Sequence, residues 1–256
     1  VAIAHDPDAD RCAAGVFDPA INAWRLLTGD ELGALLGWWT VERAQRFELP
    51  EPDGVFACSI VSSTLLLKIA TAAGLPATQT LTGFKWIGRV ENLCFGYEEA
   101  LGYCVAPHIA ADKDGITAAL RVVEMTAALK AEGRTLLDAL NTLYHEHGRH
   151  ATSQLSIRMS DPVAIRSSVQ RLREQPPREL AGRQITGVDD LTDGINGLPP
   201  TDGIRLRMAD GHVIVRPSGT EPKLKCYLEY VTRDDADSAA QVLARTKQAL
   251  QSALGL

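Results

Sequence analysis

The chain has 256 residues with 26 basic and 32 acidic side chains, a formal charge of −6. It therefore lacks the global positive field that draws nucleic acid or anionic lipid, and any anion must be caught locally. Apolar residues make up 45% and charged residues 23%, a balance that excludes collagen-like, low-complexity and wholly disordered chains, while the length favours two modest domains or one large α/β unit.

The first 28 residues predict a strand at 1–4, the acidic loop DPDADR, a strand at 12–17, a turn at Asp18-Pro19 and a strand at 24–27. From Thr28 the period becomes helical, with Thr28 and Asp30 as N-cap candidates before Leu32, Leu35, Leu36 and Trp39. An α/β alternation follows: a strand at 55–60, a helix at 65–73 ended by Gly74, a strand at 78–81, a helix from Phe84 and a strand at 94–97. Residues 115–129 and 136–145 predict two amphipathic helices that cover the sheet. Past Ser160-Asp161-Pro162 come an Arg-rich helix and Gly/Pro punctuation, then antiparallel strands at 204–208, 213–216 and 224–231 and an Ala-rich helix at 234–254, a small α+β domain. The domains expected are 1–28, a remnant carrying the acidic loop, then 29–158 and 159–256.

No apolar run nears the ~20 residues that span a bilayer. Five cysteines, widely spread and without a CxxC pair, argue against a disulfide framework or structural zinc and fit a reducing cytoplasm. The opening on an apolar strand, without a leader or an initiating Met, reads as a fragment. Strands 1–28 are then expected to expose sheet edges and apolar surface, and to be mobile or to pair with another molecule.

Several constellations carry chemistry. Asp6, Asp8 and Asp10 place three carboxylates within reach of one hard cation if the loop curls around it; magnesium with few protein ligands fits better than a calcium EF-hand, and a solvated acidic turn is the plain alternative. Arg216-Pro-Ser-Gly-Thr-Glu-Pro222 offers a guanidinium, two hydroxyls and backbone amides around a Gly, extended by Lys223 and Lys225; it reads as a phosphate cradle or as a hairpin turn. Glu98 and Glu99 after a strand can accept from sugar hydroxyls or serve a helix start. Lys85 and Lys113 are cations at predicted helix starts, and Asp114 is an N-cap candidate. Trp38 and Trp39, set among leucines, read as core.

In this order, DPDADR (6–11), TGFKW (82–86), GYEEALGY (96–103), DKDG (112–115) and RPSGTEPK (216–223) resemble the α-D-phosphohexomutase superfamily along essentially the whole chain. The likeness is closest to its phosphoglucomutase/phosphomannomutase and phosphopentomutase branch, in the C-terminal half. The resemblance implies a three-layer α/β/α domain with a mixed sheet, then a small α+β domain like the TATA-box-binding protein, preceded by the remnant of another α/β domain, the domains of the whole protein surrounding one cleft. It implies Mg2+ on Asp6, Asp8 and Asp10, Arg11 beside the transferring phosphoryl group, and a sugar loop at 96–102. Glu98 is the preferred hydroxyl acceptor, with Glu99 if the register shifts by one, and Lys85 and Lys113 face the sugar phosphate. Arg216, Ser218, Gly219, Thr220 and Lys225 hold the non-reacting phosphate.

Three departures stand out. Ala100 replaces a serine common in the sugar loop, so the preferred sugar is open. His5 stands where an Asn commonly precedes the metal loop. No phosphoserine loop is found, Ser62-Ser63 not matching it, so the resemblance implies an inactive part of a phosphosugar mutase whose N-terminal domains are its missing partner. A non-catalytic phosphosugar-binding or regulatory module is the second reading. A magnesium-dependent phosphatase with Asp6 as nucleophile is the third.

Overall fold

The structure is a computed structural model that describes residues 1–159, 161–219, 221–233 and 236–255. The chain divides into two compact units, Val1–His147 and Gly148–Leu256.

The first unit starts with β1 (Ala2–His5), β2 (Cys12–Asp18) and β3 (Ala23–Leu26), an antiparallel sheet in the order β1-β2-β3. Cys12, Ala14 and Val16 of β2 are buried in the main core with Leu27. Strand β2 is thus built into the unit while β1 and β3 are mostly exposed: alternate side chains of β2 point under the helices. The other face agrees with the expected exposed apolar surface. Phe17 is paired with Trp24 and Gly15 with Leu26, and Trp24 and Leu26 are 60% and 68% exposed.

Helix α1 (Gly29–Arg46) begins with a capping box. Glu31 N donates to Thr28 Oγ1 and Thr28 N to Glu31 Oε2, at 3.1 and 2.8 Å, which satisfies two backbone donors that a helix start leaves open. Its Leu32, Leu35, Leu36 and Trp39 are buried, as their spacing requires. Then come β4 (Val55–Ser59), α2 (Leu65–Ala72), β5 (Ala77–Thr80), α3 (Phe84–Ile87), β6 (Leu93–Glu98) and β7 (Gly102–Cys104). The sheet order is β5-β4-β6-β7, with β4 parallel to β5 and β6 and β7 antiparallel. The helix expected from Phe84 is one turn. Its Phe84 and Ile87 pack with Ala57 and Cys104 in a small core separate from the main one. Helices α4 (Gly115–Ala131) and α5 (Leu136–His147) complete the unit.

The second unit opens with β8 (Arg149–Arg158), which pairs over its whole length with the strand at 223–232. The expected limit at 158/159 therefore gives way to one at 147/148; a polar strand that finds its partner only far along the chain carries little local signal. Next come α6 (Pro162–Glu174), capped by Asp161, the short strands β9 (Glu179–Leu180), β10 (Arg183–Gln184) and β11 (Gly187–Asp190), then β12 (Ile204–Met208), β13 (Gly211–Pro217), β14 (Lys223–Thr232) and α7 (Ala236–Leu254). The main sheet is antiparallel, β11-β12-β13-β14-β8. Leu206, Val213, Val215, Cys226 and Leu228 share one core with Ile165, Val169, Leu172, Leu243 and Leu250 of α6 and α7. This is the α+β pattern expected. No helix among the described residues is long and apolar enough to cross a membrane.

Candidate functional site

The acidic loop is the connection of the β1–β2 hairpin, whose last pair is His5 with Cys12. Ala9 N donates to Asp6 O at 3.0 Å, and Ala9 takes a left-handed φ of 56°. Arg11 donates to Asp6 twice, from its backbone N at 3.3 Å and its guanidinium at 3.4 Å. Lys113 Nζ lies 2.8 Å from Asp10 Oδ2, and that bond holds the Asp10 carboxyl below its ordinary range while raising the Lys113 ammonium. Asp8 is exposed. His5 Nδ1 sits 2.8 Å from Arg11 O; a carbonyl only accepts, so the proton is on Nδ1. His5 thus braces the loop.

Among the described residues no group of three or more His, Cys, Asp or Glu side chains is arranged to hold a metal ion. Asp6 and Asp10 interact with each other and take positive charge from Arg11 and Lys113, while Asp8 is exposed. One observation fits a cation: Asp10 Oδ1 is buried with no hydrogen-bond partner, an acceptor left over in an all-oxygen donor set of the kind a hard cation takes.

The 98–102 loop joins β6 to β7. Cys12 N donates to Leu101 O at 3.1 Å and Arg11 bridges Gly102, so backbone hydrogen bonds tie this loop to the acidic one. His5, Asp6, Arg11, Glu99, Ala100 and Leu101 line a hollow of about 520 Å³. Two larger hollows, about 690 and 740 Å³, contain none of these residues. Glu98 Oε1 accepts from Gly83 N at 2.6 Å, which joins the loop to the start of α3. Glu99 Oε2 lies 3.2 and 3.3 Å from the hydroxyls of Ser59 and Ser62. Burial, then Asp30 and Glu98, push its carboxyl up to about 7. Lys85 is exposed, its Nζ 5.7 Å from the Trp86 ring centroid. Asp114 caps α4 by accepting from Ile116 N at 3.0 Å.

In the second unit Arg216 is paired with Lys225 across β13 and β14, and Lys225 with Ser156 of β8, so the three share one sheet face. Lys223 is paired with Arg158. Ser218 N donates to Lys223 O at 2.8 Å, closing the loop. Lys223 Nζ lies 2.8 Å from Glu221 Oε1 and holds that carboxyl low, with Arg158 and Lys225 adding to the effect. Gly219 is exposed; Thr220 lies outside the described residues.

Two family models match the chain: phosphoglucomutase/phosphomannomutase alpha/beta/alpha domain III over residues 28–147, and the phosphoglucomutase/phosphomannomutase C-terminal domain over 165–246. The chain belongs to the α-D-phosphohexomutase superfamily. It is 40% identical over 253 residues to a probable phosphomannomutase of Haemophilus influenzae, covering 98% of this chain and 50% of that protein. It is 34% identical to a phosphopentomutase of Mus musculus, covering 90% and 41%. An open form of parafusin, a phosphoglucomutase from Paramecium, shares the fold with a TM-score of 0.74 at 21% identity, over 99% of this chain and 44% of that one. The chain spans about half the length of the curated relatives it matches.

Further polar groups gather beneath the 98–102 loop. Asp30, an N-cap candidate, is instead buried and accepts from Ser63 N and the Tyr97 hydroxyl at 2.7 and 3.0 Å. Ser59 and Ser62, both buried, meet Glu99, and the Tyr103 hydroxyl donates to Gly29 O at 3.3 Å. The available signal was a cluster of hydroxyls at the end of an apolar strand, where side chains too deep for water need partners.

Proposed function

We propose that this chain is the metal-, sugar- and phosphate-binding half of a magnesium-dependent phosphosugar mutase. The whole protein moves a phosphoryl group between the C1 and C6 (or C5) oxygens of a sugar through a phosphoserine and a bisphosphate. The phosphoserine belongs to N-terminal domains of a longer protein, and the isolated 256-residue chain does not turn over substrate. The free thiols support a cytoplasmic setting. The observation that carries the reading is the hollow shared by Asp6, Arg11 and the 99–101 segment, where a charge-handling loop meets a sugar-type loop. Relatives named phosphomannomutase and phosphopentomutase support a phosphorylated sugar as substrate.

Asp6, Asp8 and Asp10 would hold the magnesium, which when bound stabilises charge on phosphoryl oxygens. Arg11 acts on the same oxygens with the donors of its planar guanidinium, oriented by Asp6. Lys113 keeps Asp10 ionised and, with Lys85, serves the sugar phosphate. Glu98 presents the carboxyl of the sugar loop that accepts from the sugar hydroxyls. Arg216, Ser218, Gly219, Thr220 and Lys225 hold the phosphate that is not reacting, a bidentate Arg contact supplying direction as well as charge.

The test is to express the gene with its upstream extension and assay glucose 1-phosphate conversion with magnesium and a bisphosphate activator. Turnover is expected from the longer protein, reduced about a hundredfold by Arg11→Ala, and absent from the 256-residue chain. Turnover by that chain alone overturns the reading.

A further inference from the structure

Behind the 98–102 loop lies a ring of hydrogen bonds whose protons can be counted. Ser59 ends β4 and Ser62 lies on the turn after it, both buried. Ser59 Oγ is 2.8 Å from Ser62 Oγ, and these two oxygens are 3.2 and 3.3 Å from Glu99 Oε2. Glu99 N also donates to Ser62 Oγ at 3.1 Å. Each of the three oxygen–oxygen contacts needs one proton, and two hydroxyls hold only two. With Glu99 ionised, one side of the triangle sets lone pair against lone pair. A proton on Glu99 Oε2 supplies the third.

The surroundings favour that proton. Burial acts first, then Asp30 from α1 and Glu98 from the same loop, against the smaller opposing pull of the Glu99 backbone N–H and the Ser59 hydroxyl. The Tyr103 hydroxyl of β7 is a further ionisable neighbour, as are Asp6 and Arg11, which line the hollow with Glu99.

We propose that Glu99 is a positioning residue: its neutral carboxylic acid completes the ring with Ser59 and Ser62 and holds the sugar loop, and with it Glu98, against the turn after β4. Ionisation releases the proton to water and opens the ring. Glu99 is then the latch that sets where Glu98 stands, and Glu98 alone is left to meet the sugar. The ring stands on its own geometry; its consequence for sugar affinity rests on the mutase reading.

The experiment labels glutamate carboxyls with carbon-13 in the 256-residue chain and titrates them between about pH 5 and about 9, with Glu99 assigned by the signal missing from Glu99→Gln. A midpoint of about 7 is expected, with amide exchange of residues 99–101, corrected for its intrinsic pH dependence, accelerating above it. In Glu99→Gln the amide N–H supplies the third proton at every pH, so loop protection stays flat. Asp30→Asn lowers the wild-type midpoint by removing a neighbouring anion. A Glu99 carboxyl that titrates at the ordinary value of 4.5, or a loop indifferent to the midpoint, overturns the inference. In the longer protein KM for glucose 1-phosphate should rise about tenfold one pH unit above the midpoint, with kcat little changed and the Gln variant flat; a KM that ignores Glu99 ionisation also counts against the latch. A longer protein with no mutase turnover would refute the mutase reading instead, and the carboxyl titration would still decide the ring.

Discussion

Replacing Gly115 by alanine sets two physical effects against each other at the acidic loop. Gly115 is the first residue of α4 and its φ lies outside the left-handed region. Helix preference and a less flexible unfolded chain would therefore make alanine stabilising by ~0.5–1 kcal/mol. The space around it says the opposite. A Cβ would stand 2.5 Å from Arg11 O, 2.6 Å from Ala9 O and 2.8 Å from His5 Nδ1. Two of these atoms are backbone and cannot rotate away, so the 6–11 loop must shift. The shift breaks the 3.1 Å bond from Gly115 N to Ala9 O and disturbs the 2.8 Å contact of His5 with Arg11 O. Overpacking costs ~1–3 kcal/mol and the lost bond about 1, leaving a net destabilisation of ~1–3 kcal/mol after the propensity gain. All four tryptophans lie in Val1–His147, so their emission during urea unfolding reports this unit. With a urea dependence of ~1–3 kcal/mol per molar, the midpoint falls by about 1 M. An unchanged or raised midpoint would refute the close-approach argument.

Three further outcomes are expected. Glu229→Ala should destabilise the second unit by about 3 kcal/mol, because this buried carboxylate lies 3.0 Å from His150 Nδ1 and 3.4 Å from His212 Nδ1; a loss below about 1 kcal/mol in thermal melts would contradict it. Burial pushes the Cys12 and Cys104 thiols up to about 11 and Cys226 to about 12, so a disulfide reagent at about pH 8 should label these slowly until urea is added, and rapid labelling of all three counts against their burial. The raised Glu99 carboxyl, about 7 folded against an ordinary 4.5, means the folded chain binds more protons between these values. Its contribution is full below pH 4.5 and is lost as pH rises through 7, by up to about 3 kcal/mol relative to Glu99→Gln; urea titrations of both proteins at the two ends of that window should diverge, and parallel stability would argue against it.

Much of the fold was legible because its signals are local. The capping pair Thr28 and Glu31 stands next to a 3.6-residue apolar period, and Gly74, with φ of 71°, ends α2 where a left-handed residue is needed. The motif order alone indicated the family. Three features were not legible. Strand β8 is mostly polar, with Thr152 and Ile157 its only β-branched residues, and its identity comes from pairing with β14. Strand β7 is short and takes its place from antiparallel pairing with β6. The boundary at 147/148 follows from β8.

The same division holds at the site. Residue order by itself determined which chemical groups exist: three alternating carboxylates with an arginine, a glutamate pair in a sugar-type loop, and an arginine–lysine loop between strands. It also determined the local elements that carry them, since helix caps and apolar periods act over a few residues. Tertiary structure alone decided the partners: Lys113 on Asp10, Gly83 N on Glu98, and Ser59 and Ser62 on Glu99. These contacts join residues distant in sequence, and a charge or hydroxyl takes its protonation and its role from what burial places beside it.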